Sequence, residues 1–130
     1  LRDTYGDTPQ TLRDLSIALD NVGGTARDRG DLTAATTAYT ESLDIARRLR
    51  DTYGDTPQTL RDLSIALDNV GGTARDRGDL TAATTAYRDA LATLADLATY
   101  GPNWADPDWI AAIEASLAAA TEPLAPEGSG

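Results

Sequence analysis

The chain has 130 residues and contains no Cys, His or Lys, a composition that removes most catalytic and metal-binding chemistry before any motif is considered. It offers no thiolate nucleophile, imidazole base or ligand, Schiff-base amine or phosphate-loop lysine, so we predict no enzyme, no cofactor and no metal site. The net charge of −10 disfavours a nucleic-acid partner, because such binding needs a basic stripe that displaces counterions.

An internal repeat dominates the sequence. Residues 1–39 recur without a change at residues 49–87, a shift of 48 residues. Periods of this length are typical of solenoids, in which each unit buries its apolar face only by stacking on its neighbours. The apolar residues are mainly Ala and Leu, which favour helices. We therefore predict an all-α protein built from about five helices, arranged unit by unit.

The chain begins inside a repeat. Residues 1–6 match residues 49–54, where the second helix of the first unit is expected to end. We therefore interpret residues 1–7 as the remnant of a preceding helix and loop. On this interpretation the parent protein has further repeats upstream.

The first complete unit, residues 8–54, contains two helical patterns. In the first, helix A, Thr8 or Asp7 caps the helix and Pro9 lies in its first turn. Its predicted apolar stripe consists of Leu12, Leu15, Leu19, Val22 and Ala26. Gly30 and Asp31 suit the end of helix A and the cap of helix B. Helix B is predicted to end near Gly54, with an apolar stripe of Leu32, Ala35, Tyr39, Ser42, Ala46, Leu49 and Tyr53.

The second unit, residues 55–101, repeats this pattern, and then the sequence changes. Asp106 and Pro107 open one more helix, which we interpret as a cap over residues 102–122. Its apolar side consists of Trp109, Ile110, Ile113 and Leu117. Trp104 and Trp109 are expected to anchor this cap. Residues 123–130 are expected to be a disordered tail or a cloning scar.

The units resemble the tetratricopeptide repeat. In the first unit Leu19 stands at the large position of that pattern, Val22 and Gly23 at Leu-Gly, and Ala35 and Tyr39 at the pair in the second helix. The second unit has Leu67, Val70, Gly71, Ala83 and Tyr87 at these positions. The resemblance implies a right-handed α-solenoid of antiparallel helix hairpins.

Two departures from the family pattern stand out. Ala26 and Ala74 replace its aromatic residue, and Arg47 and Ala95 replace its terminal Pro. Without that Pro, helix B continues, which explains the longer unit. Long units of this kind resemble those of kinesin light chain and of bacterial signalling proteins.

The resemblance also implies a binding surface, because helix A lines the concave face in this family. The residues of helix A beside the apolar stripe carry alternating charge in both units. The candidate partner-binding residues are Arg13, Asp20, Asn21, Arg27, Arg61, Asp68, Asn69 and Arg75. The alternative for these charges is a solvated face with local ion pairs. Asp20 and Asp68 stand where the family's carboxylate clamp has Lys, which disfavours a peptide's terminal carboxylate as the ligand.

Two glycines of helix A call for a reason, since Gly inside a helix costs about 1 kcal/mol relative to Ala. We expect Gly23 to admit the crossing of helix B beside Ala35. Gly24 either widens a binding groove or lies on an exposed face.

These observations favour a protein or peptide partner. We predict a scaffold or sensor segment of a larger bacterial protein, the bacterial setting resting on a composition in which every cation is Arg. No apolar run approaches the roughly 20 residues that span a bilayer, so we predict no membrane contact and a cytoplasmic location. The alternative function is self-association of exposed terminal repeats into homo-oligomers.

Overall fold

A computed structural model describes residues 8–121 of the chain. Five α-helices follow one another in this part, α1 at Pro9–Asp28, α2 at Leu32–Tyr53, α3 at Pro57–Asp76, α4 at Leu80–Ala98 and α5 at Pro107–Thr121. No strand occurs among the described residues. The prediction of an all-α fold is confirmed, whereas the predictions for residues 1–7 and 123–130 fall outside the described part.

The helix ends follow from local chemistry. Thr8 and Thr56 cap α1 and α3 by accepting hydrogen bonds from backbone N–H groups three residues later, and Pro follows each cap. Asp31 and Asp79 cap α2 and α4 in the same way. Gly30, Gly54 and Gly78 adopt the positive φ angles, 79° to 88°, that favour glycine after a helix.

Consecutive helices pack against each other, as in a tetratricopeptide-like solenoid. We call α1–α2 repeat 1 and α3–α4 repeat 2, with α1 and α3 as the A helices and α2 and α4 as the B helices. The A helices also contact each other. The main core lies around repeat 2, where Leu60, Leu63, Leu67, Tyr87 and Leu94 are almost completely buried.

Gly23 and Gly71 allow the tyrosine of the following B helix to lie against the A helix. A Cβ at Gly23 would lie 2.7 Å from Tyr39 Cε1, and a Cβ at Gly71 would lie 2.8 Å from Tyr87 Cε1. Both distances are shorter than carbon atoms tolerate. The predicted close approach at Gly23 is therefore present, but the group that fills the space is the ring of Tyr39.

The predicted apolar stripe of α1 is only partly buried. Leu12 and Ala26 are buried, whereas Leu15 and Leu19 are half-buried and Val22 is 58% exposed. Tyr53, at the end of α2, is also exposed, at 43%. The identical stripe of α3 is more completely buried, because α2 packs on α3 and no described helix packs on α1 in the same way.

α5 lies within residues 102–122, the segment predicted to act as a cap. It packs on α4, with Ile113 fully buried and Trp109, Ile110 and Leu117 against the main core. Asp106 accepts a hydrogen bond from the backbone N–H of Asp108 at the start of this helix. Trp104 is 41% exposed, so Trp109 is the stronger anchor.

Candidate binding surface

The predicted binding residues lie on the A helices, which run side by side. Toward their N-terminal ends, an ion pair joins Arg13 of α1 to Asp62 of α3. Its Nε and Oδ2 atoms are 3.1 Å apart, and the Asp62 side chain is only 15% exposed. Arg13 therefore joins one repeat to the next.

A second ion pair joins the C-terminal ends of the same helices. Arg27 Nε lies 2.7 Å from Asp76 Oδ2, and this hydrogen bond raises the pKa of the Arg27 guanidinium. The guanidinium lies over Gly72, where a Cβ would be 2.9 Å from Nη1. The bare backbone of Gly72 thus leaves space for an arginine from the preceding repeat.

Asp20 and Asn69 come together between these two ion pairs. Burial raises the pKa of Asp20, while hydrogen bonding to Ser42 and Asn69 partly offsets that rise. Oδ1 of Asp20 is nevertheless buried without a well-formed hydrogen bond inside the described part of the chain. Asp20 is therefore held in the contact between repeats and is not freely available to a partner.

The surface changes character where α5 covers repeat 2. Asp68, the counterpart of Asp20, accepts a hydrogen bond from Trp109 Nε1 at 3.0 Å. Arg75, the counterpart of Arg27, donates a long hydrogen bond of 3.4 Å to Ser116 Oγ. Residues of α5 thus contact the repeat 2 counterparts of Asp20 and Arg27.

Three of the candidate residues, Asn21, Arg61 and Arg75, are exposed to solvent. Arg61 is exposed on α3, and Asn21 is exposed on α1. Asn21 lines an open groove of about 410 Å³ together with Val22, Thr25 and Ala26. This groove lies on the side of α1 that corresponds to the side of α3 in contact with α2.

Sequence reasoning placed the arginines on the correct helices but missed Asp62 and did not foresee Asp76 as the partner of Arg27. The alternative of local ion pairs does not describe Arg13 and Arg27, because each pairs with a residue 49 positions later. That separation is one residue more than the repeat shift of 48. An Arg-Asp dipeptide at the same place in both units was the signal available in the sequence.

The described residues offer little other chemistry. Within residues 8–121, no three acidic side chains cluster as metal ligands would. None of the helices described there is both long enough and apolar enough to cross a bilayer.

The family model for the tetratricopeptide repeat matches residues 16–50, which run from the middle of α1 to near the end of α2. This match supports a tetratricopeptide-type repeat at that place. No curated protein and no solved structure matches the chain.

Proposed function

We propose that this chain, which carries a repeat of tetratricopeptide type, holds a peptide or another protein on the face of its A helices. The observation that carries the proposal is the family match, since repeats of this type act as protein-interaction modules. The contact between α1 and α3 supports it, because side-by-side helices give one continuous surface. We further propose that the segment serves as a scaffold or sensor within a larger bacterial, cytoplasmic protein.

The exposed polar residues of the A helices are the best candidates for partner contacts. Arg13 and Arg27 are already paired with Asp62 and Asp76, so their main role is to fix the spacing of the A helices. Arg61 and Arg75 are exposed on α3, and Arg75 makes one long hydrogen bond to Ser116, which leaves its other guanidinium donors for a partner. Guanidinium groups form paired hydrogen bonds with carboxylates. A partner segment with acidic side chains or free backbone carbonyl groups is therefore favoured beside Arg61 and Arg75.

The test uses the whole chain and a displayed library of random peptides. Peptides that bind are measured by calorimetry against the unaltered chain, the double variant Arg61→Ala and Arg75→Ala, and the control Arg88→Ala. Arg88 is also an exposed arginine but lies on the B helix α4. Circular dichroism of each variant shows that the helices remain.

We expect the double variant to weaken binding about a hundredfold or more, because two hydrogen-bonding guanidinium groups are lost and hydrogen bonds to charged groups contribute about 1.5–3 kcal/mol each. The Arg88 variant should bind as the unaltered chain does. Equal affinity of all three proteins would contradict the proposed face. A loss in the Arg88 variant alone would move the binding surface to the B helices.

A further inference from the structure

The two A helices have the same sequence and differ only in their neighbours, so their burial can be compared residue by residue. On α3, Leu63, Leu67 and Thr73 are 2%, 3% and 1% exposed. Their counterparts on α1 are open to a much greater extent: Leu15 and Leu19 are half-buried and Thr25 is exposed. We call the surface formed by Leu15, Leu19, Val22 and Thr25 the outer face of α1.

The corresponding face of α3 shows which kind of helix covers such a surface. On α3, Val70, Thr73 and Ala74 line a small cavity of about 160 Å³ whose opposite wall is Thr36, Tyr39 and Thr40 of α2. On α1, the same positions line the open groove of about 410 Å³. A helix with the sequence of α2 therefore fits against the outer face of α1.

The charges beside this face are arranged in the same way in both repeats. Gln58 donates a 2.8 Å hydrogen bond to Oδ1 of Asp62, which leaves Oδ2 for Arg13. Gln10 donates a 2.8 Å hydrogen bond to Oδ1 of Asp14, the counterpart of Asp62. Asp14 is thus held in the orientation that accepts an arginine at Oδ2.

A second carboxylate and a bare glycine complete the match. Asp28 is the counterpart of Asp76 and lies 14 residues after Asp14, the same separation as between Arg13 and Arg27. Gly24 is the counterpart of Gly72, which lies under the Arg27 guanidinium. At Gly24 the nearest group to an added Cβ is Tyr39 Oη at 3.5 Å, so the space for a guanidinium is open.

We propose that the outer face of α1 docks a helical hairpin of this same repeat type, placed before α1 as repeat 1 is placed before repeat 2. Its second helix packs on Leu19 and Val22, and two arginines of its first helix, 14 residues apart, pair with Asp14 and Asp28. These two pairs fix the register of docking. This surface shares Asn21 at its edge with the A-helix face proposed above, but its apolar residues and its two carboxylates are not part of that face, and neither proposal depends on the other.

A second copy of the chain is a poorer occupant. Its Arg13 and Arg27 already pair with its own α3, and Arg75 lies against its own α5. To present such a hairpin end, a second copy would have to displace its cap. The occupant is therefore a repeat hairpin with its arginines unpaired.

The test is an extended chain in which residues 1–48 are duplicated in frame ahead of Leu1. The new junction repeats the existing sequence from Arg48 to Leu49, so no foreign linker is introduced. All substitutions are made in the original copy of residues 1–48, not in the added one. Because the chain has no cysteine, Val22→Cys then gives a single thiol whose rate of alkylation reports exposure of the outer face. Glu41→Cys, exposed on α2, is the matched control.

We expect the thiol of Val22→Cys to be alkylated at least about tenfold more slowly in the extended chain than in the original chain, because the docked hairpin protects it locally. The control thiol at position 41 should react equally in both. Asp14→Asn with Asp28→Asn should restore part of the Val22→Cys reactivity in the extended chain and change nothing in the original one.

Two results would overturn the proposal. One is equal reactivity of Val22→Cys in both chains. The other is concentration-dependent protection of Val22→Cys in the original chain, with a doubled mass in sedimentation, which would identify a second copy as the occupant. If Asp14→Asn with Asp28→Asn leaves the Val22→Cys reactivity of the extended chain unchanged, the two arginine pairs do not fix the register of docking.

Discussion

Arg27 of repeat 1 lies 2.7 Å from Asp76 of repeat 2, and Asp76 directly follows the repeat counterpart of Arg27. One Arg-Asp dipeptide therefore supplies the arginine toward the next repeat and the carboxylate toward the preceding one. Arg13 and Asp62 show the same relationship at the opposite, N-terminal end of the two A helices. The ion pairs set the register between A helices, while apolar packing of α2 on α3 provides most of the burial.

We predict measurable coupling between Arg27 and Asp76. A double-mutant cycle with Arg27→Ala and Asp76→Ala should give about 0.5–1 kcal/mol of interaction free energy in urea unfolding, since both side chains are about one third exposed. The coupling should fall at high salt.

The control for this cycle uses Asp28→Ala and Arg75→Ala, the other two copies of the same positions. They form no ion pair with each other among the described residues, and their cycle should give no coupling. Equal coupling in the two cycles would show that the effect is not a contact between repeats.

Local features of this fold could be predicted from the sequence, and contacts between distant residues could not. Thr8, Asp31 and Gly54 act at helix ends through neighbours a few positions away, so the pattern identified their roles. Val22 and Val70 stand in identical sequence surroundings, yet Val22 is 58% exposed and Val70 packs on the core. Periodicity predicts which side of a helix is apolar, but a neighbouring helix decides whether that side is covered.

The candidate site shows the same limit. The A-helix positions of Arg13 and Arg27 followed from helical spacing, whereas their partners depend on how far one repeat is displaced along the next. Asp20 looked like a surface charge, and its half-buried place beside Asn69 arises only when α3 packs against α1. Whether the eight predicted residues contact a partner stays a prediction.

The hydrogen bond from Trp109 to Asp68 should stabilise the cap. Trp109→Phe keeps the apolar contact but removes the indole N–H that lies 3.0 Å from Asp68 Oδ2. We expect unfolding free energy to fall by about 1–2 kcal/mol, measured by circular dichroism in urea. Trp104→Phe is the control at an exposed position and should change stability little. A larger loss at Trp104 would contradict the assignment of Trp109 as the anchor.

Asp20 should make stability depend on pH in an identifiable direction. Burial raises the pKa of Asp20 above its ordinary value of 3.8, so the folded state holds this proton more tightly than the unfolded state does. The favourable effect of the protonated group is complete below pH 3.8 and is lost as pH rises through the raised folded pKa. Above that folded pKa, the charged and half-buried Asp20 side chain therefore destabilises the fold.

Asp20→Asn removes this titration while keeping the size of the side chain. The gain in unfolding free energy of the variant over the unaltered chain should grow as pH rises from 3.8 towards neutrality. Asp44→Asn, at an exposed position of α2, is the control and should show a smaller change. An advantage of Asp20→Asn that shrinks with rising pH would contradict the raised pKa.

Paired truncation of Leu19 and Leu67 tests most directly whether identical hairpins stack at the repeat interval. Leu67 is 3% exposed under the preceding repeat, whereas Leu19, its counterpart, is half-buried. Leu67→Ala should lower the unfolding free energy by about 2–5 kcal/mol, and Leu19→Ala by less than half as much. Equal losses at the two positions would contradict the stacking, because the same residue in the same sequence would then have the same surroundings.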